Sequence, residues 1–159
     1  MLSKMPDGYK VAFEYKSDSG SILELIPEGE MLSQWTEMLT VQILRNLNGW
    51  TLSEFQAGMT DRWAKMCPCG STDIIERGRE QRQSTLIWSH SCPLNKSTGQ
   101  PEQTWLKALI RGGNVIVVQK AFRFVPSVDA IEAWITFLRE VRVSRRRTLE
   151  DAYRFPSRE

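Results

Sequence analysis

Two alternating runs, Thr104 to Ile110 and Asn114 to Phe124, flank Arg111-Gly112-Gly113, and no other stretch restricts the possible folds as much. Alternation at a period of two is the pattern of a strand with two unlike faces. Two consecutive glycines tolerate positive φ, which a tight antiparallel hairpin needs. The chain must therefore contain an antiparallel ribbon in its second half.

Other strands read from the same period. Tyr9, Val11, Phe13 and Tyr15 alternate with Lys10, Ala12, Glu14 and Lys16. Asp18-Ser19-Gly20 supplies a turn into Ser21 to Ile26, so the two runs form a second hairpin, broken at Pro27, Glu28 and Gly29. Trp35 to Leu44 carries Leu39, Val41 and Ile43 in alternation and is expected to be a strand. Asp73 to Glu80 and Ser84 to Ser91 add two more.

Helical spacing occurs twice. Thr51 with Glu54 three residues later makes a capping box, and Leu52, Phe55, Met59, Trp63 and Met66 follow on one face up to Pro68. Such a stripe is expected to be core, not a cofactor box. Ser127 caps a second helix through about Val141, with Ile131, Trp134, Ile135, Leu138 and Val141 on one face. Strands, helix, more antiparallel strands, helix: this order predicts an α+β fold with helices packed on an antiparallel sheet. The reading is one domain over residues 1–143 and a basic C-terminal tail over 144–159, with a helical turn near Leu149 to Tyr153.

Length and charge narrow the function classes. At 159 residues the chain is one domain long, and its net charge of +2 is too small to imply nucleic acid or a membrane surface. Arg145-Arg146-Arg147 with Tyr153 and Phe155 could contact phosphates, but a solvated tail is the plainer reading. No apolar run approaches the ~20 residues of a membrane span. The segment from Met1 to Lys10 has no apolar core of a signal peptide. A cytoplasmic protein, or an exported one whose leader is missing, would both look like this. A Gly-rich phosphate loop and a G-x-S-x-G elbow are both absent. Glu28, Glu30 and Glu37 cluster near a loop without a fixed separation, so they define no acid–base pair.

All three cysteines and the one histidine lie between Cys67 and Cys92. As a metal set, Cys67, Cys69, His90 and Cys92 have the composition of a tetrahedral zinc site, but zinc sites favour C-x₂₋₄-C over C-x-C. As a disulfide, Cys67 or Cys69 joins Cys92 and the third thiol is left over. A loop of roughly 25 residues would then contribute on the order of 3 kcal/mol in the chain-entropy account. A C-x-C redox pair lacks the helix N-terminus that lowers a thiol pKa, because these cysteines follow a helix.

Four further residues are binding candidates: Trp35, Trp105, Lys120 and Arg123. Tryptophan is common at recognition surfaces and equally at home in a core; Trp50 shares that ambiguity. Lys120 and Arg123 fall on opposite faces of the strongest strand, where a mid-strand charge usually meets water and can line an anion groove. The polar stretch from Pro93 to Thr104 reads as a long connecting loop.

The segments IPEGEMLSQWTEMLTVQ, at Ile26 to Gln42, and CPLNKSTGQPEQTWLKALIRGGNVIVVQKAFRFVPS, at Cys92 to Ser127, resemble small exported proteobacterial proteins of unknown function. CPLN, TGQPE and VVQKAFR are the specific matches, within a resemblance that spans most of Val11 to Val143. The fold that this resemblance implies is similar to Mog1 and PsbP, an α/β/α sandwich. It also implies that Cys92 pairs with a cysteine just after the first helix, in an envelope or secreted location. Here that partner is expected to be Cys69, with Cys67 as the alternative.

The resulting expectation is a non-enzymatic periplasmic or secreted domain without a cofactor that binds another protein or a second copy of itself. A zinc-stabilised cytoplasmic module and a small-ligand-binding domain are the alternatives.

Overall fold

The computed structural model of the chain describes residues 6–143 together with Tyr153 and Arg154. Its strands are β1 (Tyr9–Ser17), β2 (Gly20–Pro27), β3 (Glu37–Leu44), β4 (Ser71–Glu80), β5 (Gln83–Asn95), β6 (Gln100–Arg111) and β7 (Asn114–Phe122). Helix α1 (Leu52–Met66) lies between β3 and β4, and α2 (Val128–Glu140) follows β7. A short pair, β8 (Arg142–Val143) and β9 (Tyr153–Arg154), stands apart from the main sheet. The expected helical turn over Leu149 to Tyr153, and the tail expected over 144–159, fall mostly outside the described residues.

Strands β1 to β7 form one sheet in the order β1-β2-β3-β7-β6-β5-β4, antiparallel throughout. Its centre is the β6–β7 hairpin. Arg111 pairs with Asn114 across Gly112 and Gly113, whose φ angles are +55° and +75°. The β4–β5 turn has the same two-residue form but holds Gln81 and Arg82 at positive φ, so it carries no glycine signal.

The pleat divides the core in two. Leu25, Leu39, Val41, Ile116, Val118, Phe122, Trp105 and Leu109 face α2, which buries Leu138 against them with Ile131, Trp134 and Ile135 alongside. On the other face Leu86, Trp88, Leu106, Ala108, Val115 and Val117 receive Leu52, Phe55 and Met59 of α1. One helix on each face gives the α/β/α sandwich. Both helices begin as expected: Thr51 and Glu54 complete the capping box, and the Ser127 hydroxyl accepts from the Ala130 N–H.

Three boundaries differ from expectation. Trp35 precedes β3, just after a 3-10 turn at Leu32–Gln34, because Glu30 holds the loop by accepting from the Thr36 N–H at 2.7 Å. Met66 ends α1 on the exposed side, and the core face finishes at Trp63. The long loop expected over Pro93 to Thr104 shrinks to residues 96–99. Asn95 closes it, accepting from the Ser97 N–H at 2.9 Å and donating to Glu102 at 2.9 Å.

Candidate functional site

The loops that meet at the C-terminal end of β7 hold the chemistry-bearing groups, and the cysteines lie at the end of α1. The cysteine cluster is a clasp. Cys67 caps the C-terminus of α1, its N–H bonded to the Trp63 carbonyl at 2.8 Å, and its sulfur is bonded to Cys92 on β5. The Cα–Cα distance is 5.9 Å, and both residues are buried beside Trp63. The pairing expected between Cys69 and Cys92 is therefore corrected to Cys67–Cys92. Two residues further on, Cys69 has passed into a turn and is an exposed free thiol. That turn, Cys67-Pro68-Cys69-Gly70, is closed by the Gly70 N–H to the Cys67 carbonyl at 2.9 Å.

His90 lies beneath the clasp and does not join it. Its ring stacks on Trp63 with centroids 4.9 Å apart and planes 16° apart. The Trp88 indole N–H donates to Nε2 at 3.0 Å, so Nε2 carries no proton; Nδ1 is then the protonated nitrogen and donates to the Thr72 hydroxyl at 2.7 Å. Both nitrogens are thus engaged, and burial lowers the pKa to about 4. With two sulfurs bonded to each other and both imidazole nitrogens occupied, Cys67, Cys69, His90 and Cys92 do not offer four zinc ligands.

Lys120, expected to face water, is fully buried on the α2 face. Its Nζ donates to Glu37 Oε2 at 2.6 Å and to the Tyr9 hydroxyl at 2.5 Å, and Tyr9 in turn donates to Glu37 at 2.7 Å. Trp134, Tyr9 and Phe122 surround the ammonium, with ring centroids 4.2, 4.7 and 4.8 Å away. Burial lowers the lysine pKa to about 8 against the opposing pull of Glu37. Burial also raises Tyr9, reinforced by its hydrogen bond to Glu37. Glu37 itself is pushed up by burial but held below the usual carboxylate range by Lys120 and Tyr9. A second buried lysine, Lys107, donates to Glu80 at 2.9 Å and to the Val141 carbonyl at 2.7 Å, tying β6 to the end of α2. Neither ammonium reaches solvent, so Lys120 lines no anion groove.

Arg123 follows β7 and leaves the sheet. Its guanidinium lies over the Trp35 ring, 3.8 Å from the centroid, and its backbone N–H donates to the Thr36 carbonyl at 2.8 Å. This joins the β2–β3 loop to the β7–α2 loop. Trp105, cross-strand from Lys120, is buried edge-on to Phe122 at 5.9 Å, and Phe122 touches Phe124 at 5.4 Å. The four expected binding residues therefore meet at one end of the sheet. Only Trp35 and Arg123 lie at its surface, while Trp105 and Lys120 support it from within.

Next to Trp35 and Arg123 the two loops expose Met31 (62%), Leu32 (41%), Phe124 (38%) and Val125 (70%), and the first residue of α2, Val128, is 68% exposed. Sequence reading missed this patch because Met31, Leu32 and Val125 follow no period. The signal was their apolar character next to loop-forming residues: Gly29 before Met31, and Pro126 after Val125. Among the described residues no helix is long and apolar enough to cross a membrane.

No model of a known protein family matches the chain, and no curated protein matches it. Solved structures do. Cyanobacterial PsbP from Synechocystis is similar at 12% identity and a TM-score of 0.50, over 85% of this chain and 79% of that one. A point mutant of the protein Mog1 is similar at 14% identity and a TM-score of 0.50, over 82% and 75%. At such identities the likeness is one of architecture. The chain has the Mog1/PsbP-like α+β fold.

Proposed function

We propose that this chain is a non-enzymatic interaction domain of the cell envelope or the extracellular space, and that it binds another protein through the loop face at the end of β7. The observation that carries this reading is the exposed apolar patch of Met31, Leu32, Phe124, Val125 and Val128 beside Arg123 stacked on Trp35. Exposed apolar residues from two loops and the start of α2, with an arginine and an aromatic beside them, have the composition of a protein-binding hot spot. Trp105, Phe122 and Lys120 pack together beneath the loops. The arginine commits the partner to a carboxylate beside its apolar contact residues.

The Cys67–Cys92 bridge supports the compartment, since such bonds persist where thiols are not kept reduced. Membership of the exported proteobacterial group, which CPLN, TGQPE and VVQKAFR suggest, is part of the same proposal.

A photo-activatable crosslinking residue in place of Val125 tests it in cells that carry the protein. The expected result is a discrete crosslinked species, lost with Arg123→Glu and absent when the same residue replaces Lys16 at the opposite end of the sheet. Equal crosslinking from both ends, or none from Val125, would refute the loop face. A turnover abolished by substituting His90, Glu37 or Lys120 would refute the non-enzymatic reading.

A further inference from the structure

We propose that the three sulfurs at the end of α1 form a thiol–disulfide exchange site, in which Cys69 attacks its own chain's bridge and takes the place of Cys92. Cys69 does not stand alone: its Sγ lies 3.8 Å from the Cys67 Sγ, which is one half of the disulfide. The closeness is built into the backbone. Pro68 presets the turn, the Gly70 N–H closes it on the Cys67 carbonyl, and Gly70 has no room for a side chain. A Cβ there would lie 2.6 Å from the Ser91 carbonyl oxygen and 3.0 Å from the Trp63 indole nitrogen. Cys69 is exposed and open to solvent-borne reagents, and the sulfur it faces belongs to a buried residue.

The step balances within the chain. Cys69 loses its proton to water, and its thiolate forms a bond to the Cys67 Sγ. The Cys67–Cys92 bond breaks with its electron pair leaving on Cys92, which takes a proton from water. One disulfide is lost and one formed, so no oxidant or reductant is consumed. The structural consequence is large. A bridge spanning 25 residues, which ties α1 to β5, becomes a local link inside one turn, and the end of α1 is released from the sheet. Cys92 is fully buried, which disfavours its departure as a thiolate and keeps the long bridge dominant until the end of α1 opens.

Disulfide mapping tests the exchange. Oxidised protein is held without reductant at about pH 8.5, near the ordinary thiol pKa, in urea below the unfolding transition. It is then quenched in acid, labelled on free thiols and digested. The expected map has a major form labelled on Cys69 and a minor form labelled on Cys92 with a Cys67–Cys69 link; the minor form is lost in Cys69→Ser. Label confined to Cys69, or Cys92 label that persists in Cys69→Ser, would overturn the proposal. As an independent arm, Cys92→Ala treated with a low-molecular-weight disulfide is expected to close the Cys67–Cys69 link whether or not it is fully folded. Two alkylatable thiols remaining would count against it.

Discussion

His90 is held neutral because everything around it is arranged for the neutral ring. It stacks on Trp63, accepts from Trp88 and donates to Thr72, and an added proton would turn Nε2 from the acceptor of the Trp88 N–H into a second donor in a buried layer. Its folded pKa of about 4 lies below the ordinary 6.5, so the unfolded chain binds the extra proton first. The stability this gives is complete above pH 6.5 and falls as the pH drops toward 4, by at most about 1.4 kcal/mol per pH unit. Urea unfolding at a series of pH values should show that slope, and His90→Gln should flatten the part between pH 6.5 and 5. Lys120 makes a different prediction. Removing its partner with Glu37→Gln leaves a buried ammonium short of a counter-charge and should cost on the order of 2 kcal/mol, less than for a fully enclosed pair because Glu37 keeps some solvent contact. Adding Lys120→Met should recover much of that loss, measured as the coupling in a double-mutant cycle. The residues carried a signal for this burial that the sequence reading, which set Lys120 against water, passed over. Lys107 in TWLKALI and Lys120 in VIVVQKAF interrupt runs that are apolar on both faces, which marks central strands covered on both sides. Their partners were not legible: Glu80 and Glu37 lie 27 and 83 residues away, and only the sheet order brings them in.

Among the elements, the junction from α1 through the Cys67–Gly70 turn to β4 pins the end of α1 to the sheet. The bridge closes a loop of 25 residues, so Cys92→Ala should lower stability by about 3 kcal/mol in chemical unfolding, with the added cost of the small cavity it leaves. Gly70→Ala tests the turn. Its Cβ meets the Ser91 backbone, which cannot step aside, and the expected loss is about 2 kcal/mol with weaker quenching of Trp63. The contrast between hairpins explains what could be read ahead of the fold. The β6–β7 turn announces itself through Gly112 and Gly113, whereas β4–β5 places Gln81 and Arg82 at positive φ with no compositional sign. The bridge pairing was open for a similar reason. Cys67 and Cys69 are two residues apart in sequence, and their separation into one buried and one exposed sulfur depends on where α1 stops.

At the scale of the whole molecule, two helices cover opposite faces of one sheet, and the loops at the end of β7 carry the exposed apolar patch. Both edge strands contain a register shift, at Val11/Phe13 in β1 and Ile74/Glu76 in β4, which makes edge-to-edge pairing less regular. An antiparallel sheet with helices packed on it was readable from the strand and helix periods, and the resemblance implied the α/β/α sandwich. The loop patch was not readable, because binding surfaces built on irregular segments obey no period. The proposed oxidising compartment rests on a single covalent bond, Cys67–Cys92, which can be examined where the protein is made. Cells carrying the chain are alkylated at harvest without reductant, and the purified protein is digested and mapped. The account predicts a Cys67–Cys92 link in the major form with Cys69 as its alkylated thiol; alkylation of all three cysteines would contradict it.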